Sequence, residues 1–287
     1  MRAIYKREFK SYFTSMTGYI FIAFFIAVIG LFFYANNLIS GNPNFGWVIY
    51  NVSFLFMLLI PILTMRIMAE EKKQKTDQLL LTSPITPSQI VFGKYLSVLT
   101  IYMIVIAIIS TFPLILNQFG EVPFGLCYSS ILGFSLLGAS LISIGLFISS
   151  LVDSQIVASV ITFITILITY FIDSVVRMLP TDHKSTWIIL AVIFLVISLI
   201  TYILMKNTYF SLIFAIICEI ILAVIYFIRP ILFDGLVVRI ANWFSVMSRY
   251  NGFSRGVINI SDMVYYISLI FVFLFLTVQS IKKRRWN

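Results

Sequence analysis

Charge is scarce in this chain, and histidine and cysteine are scarcer still. Of 287 residues only 11% are charged, one is histidine and two are cysteine. The single His183 has no cysteine or carboxylate cluster around it, so the sequence offers no metal-ligating set. Cys127 and Cys218 both fall in apolar surroundings and read as small core residues rather than a disulfide pair. No Ser-His-Asp, Cys-His or paired-carboxylate arrangement shares a water-facing stretch, which leaves no catalytic residues to assign. A phosphate-wrapping loop needs Gly-x-x-x-x-Gly-Lys-Ser/Thr. Here Gly93-Lys94 is followed by Tyr95, and Ser88 stands where the first glycine belongs. The chain is therefore expected to be a non-catalytic subunit that hydrolyses no ATP and binds no cofactor of its own.

What fills the sequence instead is apolar surface. Hydrophobic residues make up 61% of the chain, and the mean hydropathy is +1.04, far from the range of soluble domains. A helix crossing ~30 Å of hydrocarbon needs ~20 apolar residues at ~1.5 Å each. Runs of that kind recur, without the alternation of a β-barrel. The expectation is an all-α integral membrane protein, a polytopic bundle of about eight spans forming one domain over 1–287. The spans fall near 18–38, 47–68, 95–116, 124–150, 156–176, 187–205, 209–228 and 263–281. Pro61 is a kink candidate in the second. Residues 1–15 place Ile4, Tyr5, Phe9, Tyr12 and Phe13 on one helical face and read as an amphipathic helix in the headgroup plane. In 229–262, aromatic residues interleave with Arg239, Arg249 and Arg255, as in an extracytoplasmic helix lying on or dipping into the outer leaflet.

The formal net charge of +9 does not imply nucleic acid, because the basic residues cluster beside the apolar spans, where topology and anionic headgroups are read. Counted over alternate segments, fourteen Lys and Arg fall on one side and six on the other. That bias puts both termini in the cytoplasm. The first apolar run is too long for a cleavable signal and is expected to stay as a span.

The chain is organised around 69–95, AEEKKQKTDQLLLTSPITPSQIVFGKY. Its lysines and carboxylates cannot lie in hydrocarbon, yet Leu79, Leu80 and Leu81 are too apolar to be left in water. Such a patch needs a partner protein or a membrane surface over it. Pro84 breaks the chain, Thr86 can cap a new helix, Pro87 suits its first position, and Gln89 can reach back in a capping box. The segment reads as helix, break, helix: a stiff elbow.

Glu70-Glu71, the run Lys75-Thr76-Asp77-Gln78-Leu79-Leu80-Leu81-Thr82-Ser83-Pro84, and Gly93-Lys94-Tyr95 resemble the signature of ABC-2 type permeases. Lys75 stands where that family usually has glycine, and Gln78 where it has glutamate. The opening 6–13, the turn 149–155 and the ending 256–286 resemble the gliding-motility permease branch, so most of the chain is covered; the pair 187–228 adds to a six-span family core. The resemblance implies that 69–95 is a coupling helix segment. Glu70, Glu71, Thr76, Asp77, Leu79, Leu80 and Leu81 would dock an ABC-type ATPase subunit, which carries the ATP and Mg. It also implies an exporter in the bacterial cytoplasmic membrane that works as a homodimer or with a related permease.

Two further features need a reading. Glu219 is the one carboxylate deep in an expected span, where a charge costs about 2.5–3.5 kcal/mol on insertion scales. It serves either a substrate path or proton coupling, or it is a protonated or hydrogen-bonded glutamate at a helix contact. Ser135, Ala139 and Ser143 recur four apart near Gly138, spacing that lets helices approach closely, within the subunit or at a dimer seam. Two rival functions remain: a lipid-modifying membrane enzyme using Glu219 as a buried acid, and a non-transporting scaffold of a motility or envelope machine.

Overall fold

The computed structural model describes residues 1–76, 85–205 and 208–286, and every element among them is helical. Two compact units divide the chain: 1–168 with 247–287, and 169–246.

The first unit opens with α1 (Arg2–Thr14), α2 (Thr17–Phe33) and a π-helical turn at Tyr34–Ile39. The second span is assembled from α3 (Phe45–Val52), a 3-10 turn at Ser53–Leu55, α4 (Phe56–Thr64) and α5 (Arg66–Lys73). Pro61 lies inside α4 and its missing N–H contributes to this segmentation. The third and fourth spans follow as α6 (Pro87–Ile109) with its short extension α7 (Phe112–Leu116), and α8 (Phe124–Leu151). Then come α9 (Gln155–Met178), α10 (His183–Met205), α11 (Thr208–Ile228), α12 (Leu236–Phe244), α13 (Val246–Ser254) and α14 (Ile260–Trp286).

Six of the described helices are long and apolar enough to cross a membrane, and a seventh span results if 212–228 and 230–243 are taken together across their 118° bend. The sequence reading counted eight. Helices do occupy its extra pair, but the apolar described part of the first, His183–Leu199, is short, and a full crossing takes ~20 residues.

The core of the first unit is aromatic. Phe56 and Phe134 stack with centroids 4.5 Å apart, and Phe25, Tyr102 and Tyr250 surround them at 5.8–6.4 Å. Tyr102 donates its hydroxyl to Phe134 O at 2.6 Å, so the ring is held by a bond as well as by contact. The fourth span, α8, is the central element, with 78% of its apolar window buried. Small residues make that possible. A Cβ at Gly138 would overlap the ring of Tyr102, and one at Gly145 the side chain of Thr64.

In the second unit, Tyr226 lies 5.5 Å from Trp187, 5.9 Å from Phe233 and 6.1 Å from His183, ring to ring. Gly235 N donates to Thr181 O at 3.0 Å, and His183 Nδ1 approaches Asp234 Oδ1 at 3.5 Å. Outward from α12 stand Ile240 and Trp243, both exposed.

Candidate functional site

Both halves of the organising segment end in recognisable helix chemistry. On its near side α5 stops in a Schellman arrangement: Lys75 N donates to Lys72 O at 3.1 Å and Thr76 N to Glu71 O at 3.0 Å. That geometry requires a left-handed residue, and Lys75 has φ +57°. The position where the family usually has glycine is thus one where the backbone conformation itself favours glycine. On the far side Thr86 caps α6: its hydroxyl accepts from Gln89 N, and Gln89 Oε1 accepts from Thr86 N, each at 3.4 Å. The anticipated capping box is present. The second helix of the elbow is not separate from the third span, however. It runs unbroken from Pro87 to Ile109, because no residue between them terminates it.

Lys94, about two turns into that helix, is fully buried. Its ammonium donates to Glu71 Oε2 at 2.8 Å, Glu8 Oε1 at 3.2 Å and Ile67 O at 2.7 Å. A buried cation is tolerable only when paired and hydrogen-bonded in this way. Arg7 closes the cluster, reaching Glu71 Oε1 at 2.5 Å and Glu8 Oε1 at 2.6 Å. Arg66 and Glu70 form their own pair along α5 at 2.8 Å. Next to Lys94, Gly93 lets α1 approach: a Cβ there would sit 3.2 Å from Ile4. The Gly-Lys pair therefore has two jobs, close packing and charge neutralisation.

Further bonds extend this end of the unit. Ser149 Oγ on α8 accepts from Met68 N and Ala69 N and donates to Met65 O, all at 3.2 Å. Lys72 Nζ donates to Ser150 O at 2.5 Å and lies 3.5 Å from Asp153, which is 3.5 Å from Arg284 on α14. Tyr12 donates its hydroxyl to Leu63 O at 2.7 Å. Burial pushes its phenol well above the ordinary tyrosine range, with the Glu8 charge adding, so it stays a donor. Between α1 and α5 an open hollow of about 440 Å³ is lined by Arg7, Glu8, Arg66, Glu70 and Thr76.

Of the residues singled out for docking, Glu70, Glu71 and Thr76 are placed here, the first two with their carboxylates engaged inside the chain. Asp77, Leu79, Leu80 and Leu81 lie outside the described residues. Sequence reasoning missed Lys94 and Arg7 as the partners of Glu71, and Glu8 as the second carboxylate that both of them meet. A lysine two turns inside an apolar helix was the available signal. Elsewhere, Gly138 and Ala139 face the third span, where Tyr95 donates to Ala139 O at 3.2 Å. Ser143 is buried and bonds to Ser140 O at 2.6 Å; Ser135 bonds to Leu132 O at 2.7 Å. Glu219 lies on α11 in the second unit, its Oε1 buried with no hydrogen-bond partner among the described residues. Among the described residues no group of three or more His, Cys, Asp or Glu could hold a metal ion.

No curated protein and no solved structure matches the chain. The family described as ABC-2 family transporter protein matches residues 35–232, more than half of its length and all of the elbow. With six to seven spans long and apolar enough to cross a membrane among the described residues and that match in hand, the chain is a multi-pass membrane permease belonging to the ABC-2 transporter family.

Proposed function

We propose that the chain is the transmembrane subunit of an ATP-driven exporter whose engine is a separately encoded ABC-type ATPase. That partner binds ATP and Mg and grips residues 70–92. Two permease subunits, identical or related, work together in the bacterial cytoplasmic membrane, with both termini on the cytoplasmic side. Closure of the ATPases displaces the elbow and rocks the spans between inward-open and outward-open states.

The observation that carries this reading is the Lys94 cluster. It joins α1, the end of the second span and the start of the third at the point where the elbow leaves and re-enters the bundle. Bonds through Ser149 and Lys72 bring in the fourth span. A displacement applied between α5 and α6 is thus passed to several helices through short, fully paired contacts rather than absorbed in a loop.

The test uses the tagged full chain and the ATPase that copurifies with it from native membranes. Leu80→Asp is expected to abolish permease-stimulated ATP hydrolysis while the amount of permease in the membrane stays at the wild-type level. Unchanged stimulation in that variant, or the absence of any copurifying nucleotide hydrolase with the wild type, overturns the reading.

A further inference from the structure

The first unit holds a second hollow, of about 380 Å³, formed by the turn that follows α2 and the loop between α7 and α8. The loop follows the third span, α6 with its extension α7, at the opposite end from Lys94. The volume is in the range of small-molecule sites. Its walls include Leu38, Leu116, Phe119 and Val122, and its polar groups include Asn37 and Glu121.

Two independent features bear on what would fill it. Asn37 is 2% exposed; its Nδ2 donates to Asn42 O at 2.6 Å, while its Oδ1 is buried with no donor among the described residues. It sits in the π-helical turn Tyr34–Ile39, an irregularity that recurs at functional sites because it turns a residue out of the ordinary helical register. A buried acceptor is rarely left unmet. Secondly, Glu121 is the only charged residue between Lys94 and Asp153, and no charged residue lies between Lys10 and Arg66. The segments that build the hollow therefore contribute one exposed carboxylate and no cation.

From this we infer that the hollow binds a primary ammonium carrying an apolar chain. The positive charge answers Glu121, an N–H answers Asn37 Oδ1, and the chain lies along Leu38, Leu116, Phe119 and Val122. A metal ion is a poorer fit, since one carboxylate and one amide oxygen are too few ligands for a hard cation. An aminophospholipid headgroup and a free long-chain amine share the chemistry recognised here. This site is separate from the ATPase-docking reading and does not depend on it.

The experiment takes the full chain in neutral detergent, without ATPase, and measures binding of dodecylamine, dodecyltrimethylammonium and dodecanol by native mass spectrometry. Dodecylamine is expected to bind one per chain. Glu121→Gln, an exposed change that leaves the packing alone, should weaken it about tenfold or more, as should replacing the amine by the quaternary ion, which has no N–H to give. Asn37→Leu should do the same. Because that variant also loses the bond to Asn42, Glu121→Gln and the amine comparison decide the matter if it does not fold. A second arm extracts the protein from bilayers of phosphatidylethanolamine or phosphatidylcholine. Selective retention of phosphatidylethanolamine identifies the ligand as a lipid headgroup; retention of neither, with dodecylamine bound, identifies a free amine. Equal affinity for the quaternary ion, or wild-type affinity in Glu121→Gln, overturns the proposal.

Discussion

Lys94 Nζ lies 2.8 Å from Glu71 Oε2, a pairing that fastens the start of the third span to the last turn of the second across the whole organising segment. The lysine has no exposed surface, and the side chains of Glu8 and Glu71 are 14% and 18% exposed. Such a cluster is weak evidence for stability in itself, yet breaking it from one side is costly, because the remaining charges are left buried.

Lys94→Met should therefore destabilise the protein by about 3–5 kcal/mol, read from unfolding in mixed micelles. Adding Glu71→Gln should cost less than the sum of the two single changes, with a coupling of about 0.5–3 kcal/mol. Additive losses would mean that the pair does not interact in solution.

At Lys75 the prediction runs the other way. A non-glycine residue in the left-handed region carries a penalty of roughly 1–2 kcal/mol, and glycine has none. Lys75→Gly should tighten the end of α5, seen as slower amide exchange at 75 and 76. Lys75→Val should loosen it further than the native lysine does.

Gly138 faces the Tyr102 ring so closely that an added methyl has nowhere to go. Gly138→Ala is expected to cost about 1–3 kcal/mol by overpacking. Combining it with Tyr102→Leu should recover part of that loss, despite removing the hydrogen bond to Phe134 O. The melting temperatures of the two single variants and the double variant check this.

For Glu219, the permease reading expects Glu219→Gln to leave membrane level and stimulated ATP hydrolysis close to wild type. A lipid-modifying enzyme would instead lose its activity in that variant with no ATPase present. Glu219→Lys should lower the amount inserted, since a central lysine costs about 2.5–3.5 kcal/mol on insertion scales.

Much of this molecule was readable along the chain. The described spans begin and end within a few residues of the apolar runs, except the third. That helix begins at Pro87 because the capping box of Thr86 and Gln89 starts it there and nothing stops it before Ile109. The departure at Lys75 was also visible, though its meaning was not. A left-handed φ at that position follows from where α5 stops, which depends on Glu71 and Lys72 carbonyls finding donors.

Hydropathy, proline and capping residues act over a turn or two of helix, so spans, caps and the elbow could be inferred from local order alone. Partner choice is different in kind. Glu71 meets Lys94 and Arg7, and Tyr12 meets Leu63 O, across 23 to 64 residues of chain. Those contacts exist because α1, α5, α6 and α8 pack at one end of the bundle, where Gly93 admits α1 and Ser149 meets the backbone of α5. The sequence contained every charge in the cluster; only folding in three dimensions determined which of them neutralise one another, since burial leaves a lysine no alternative partner.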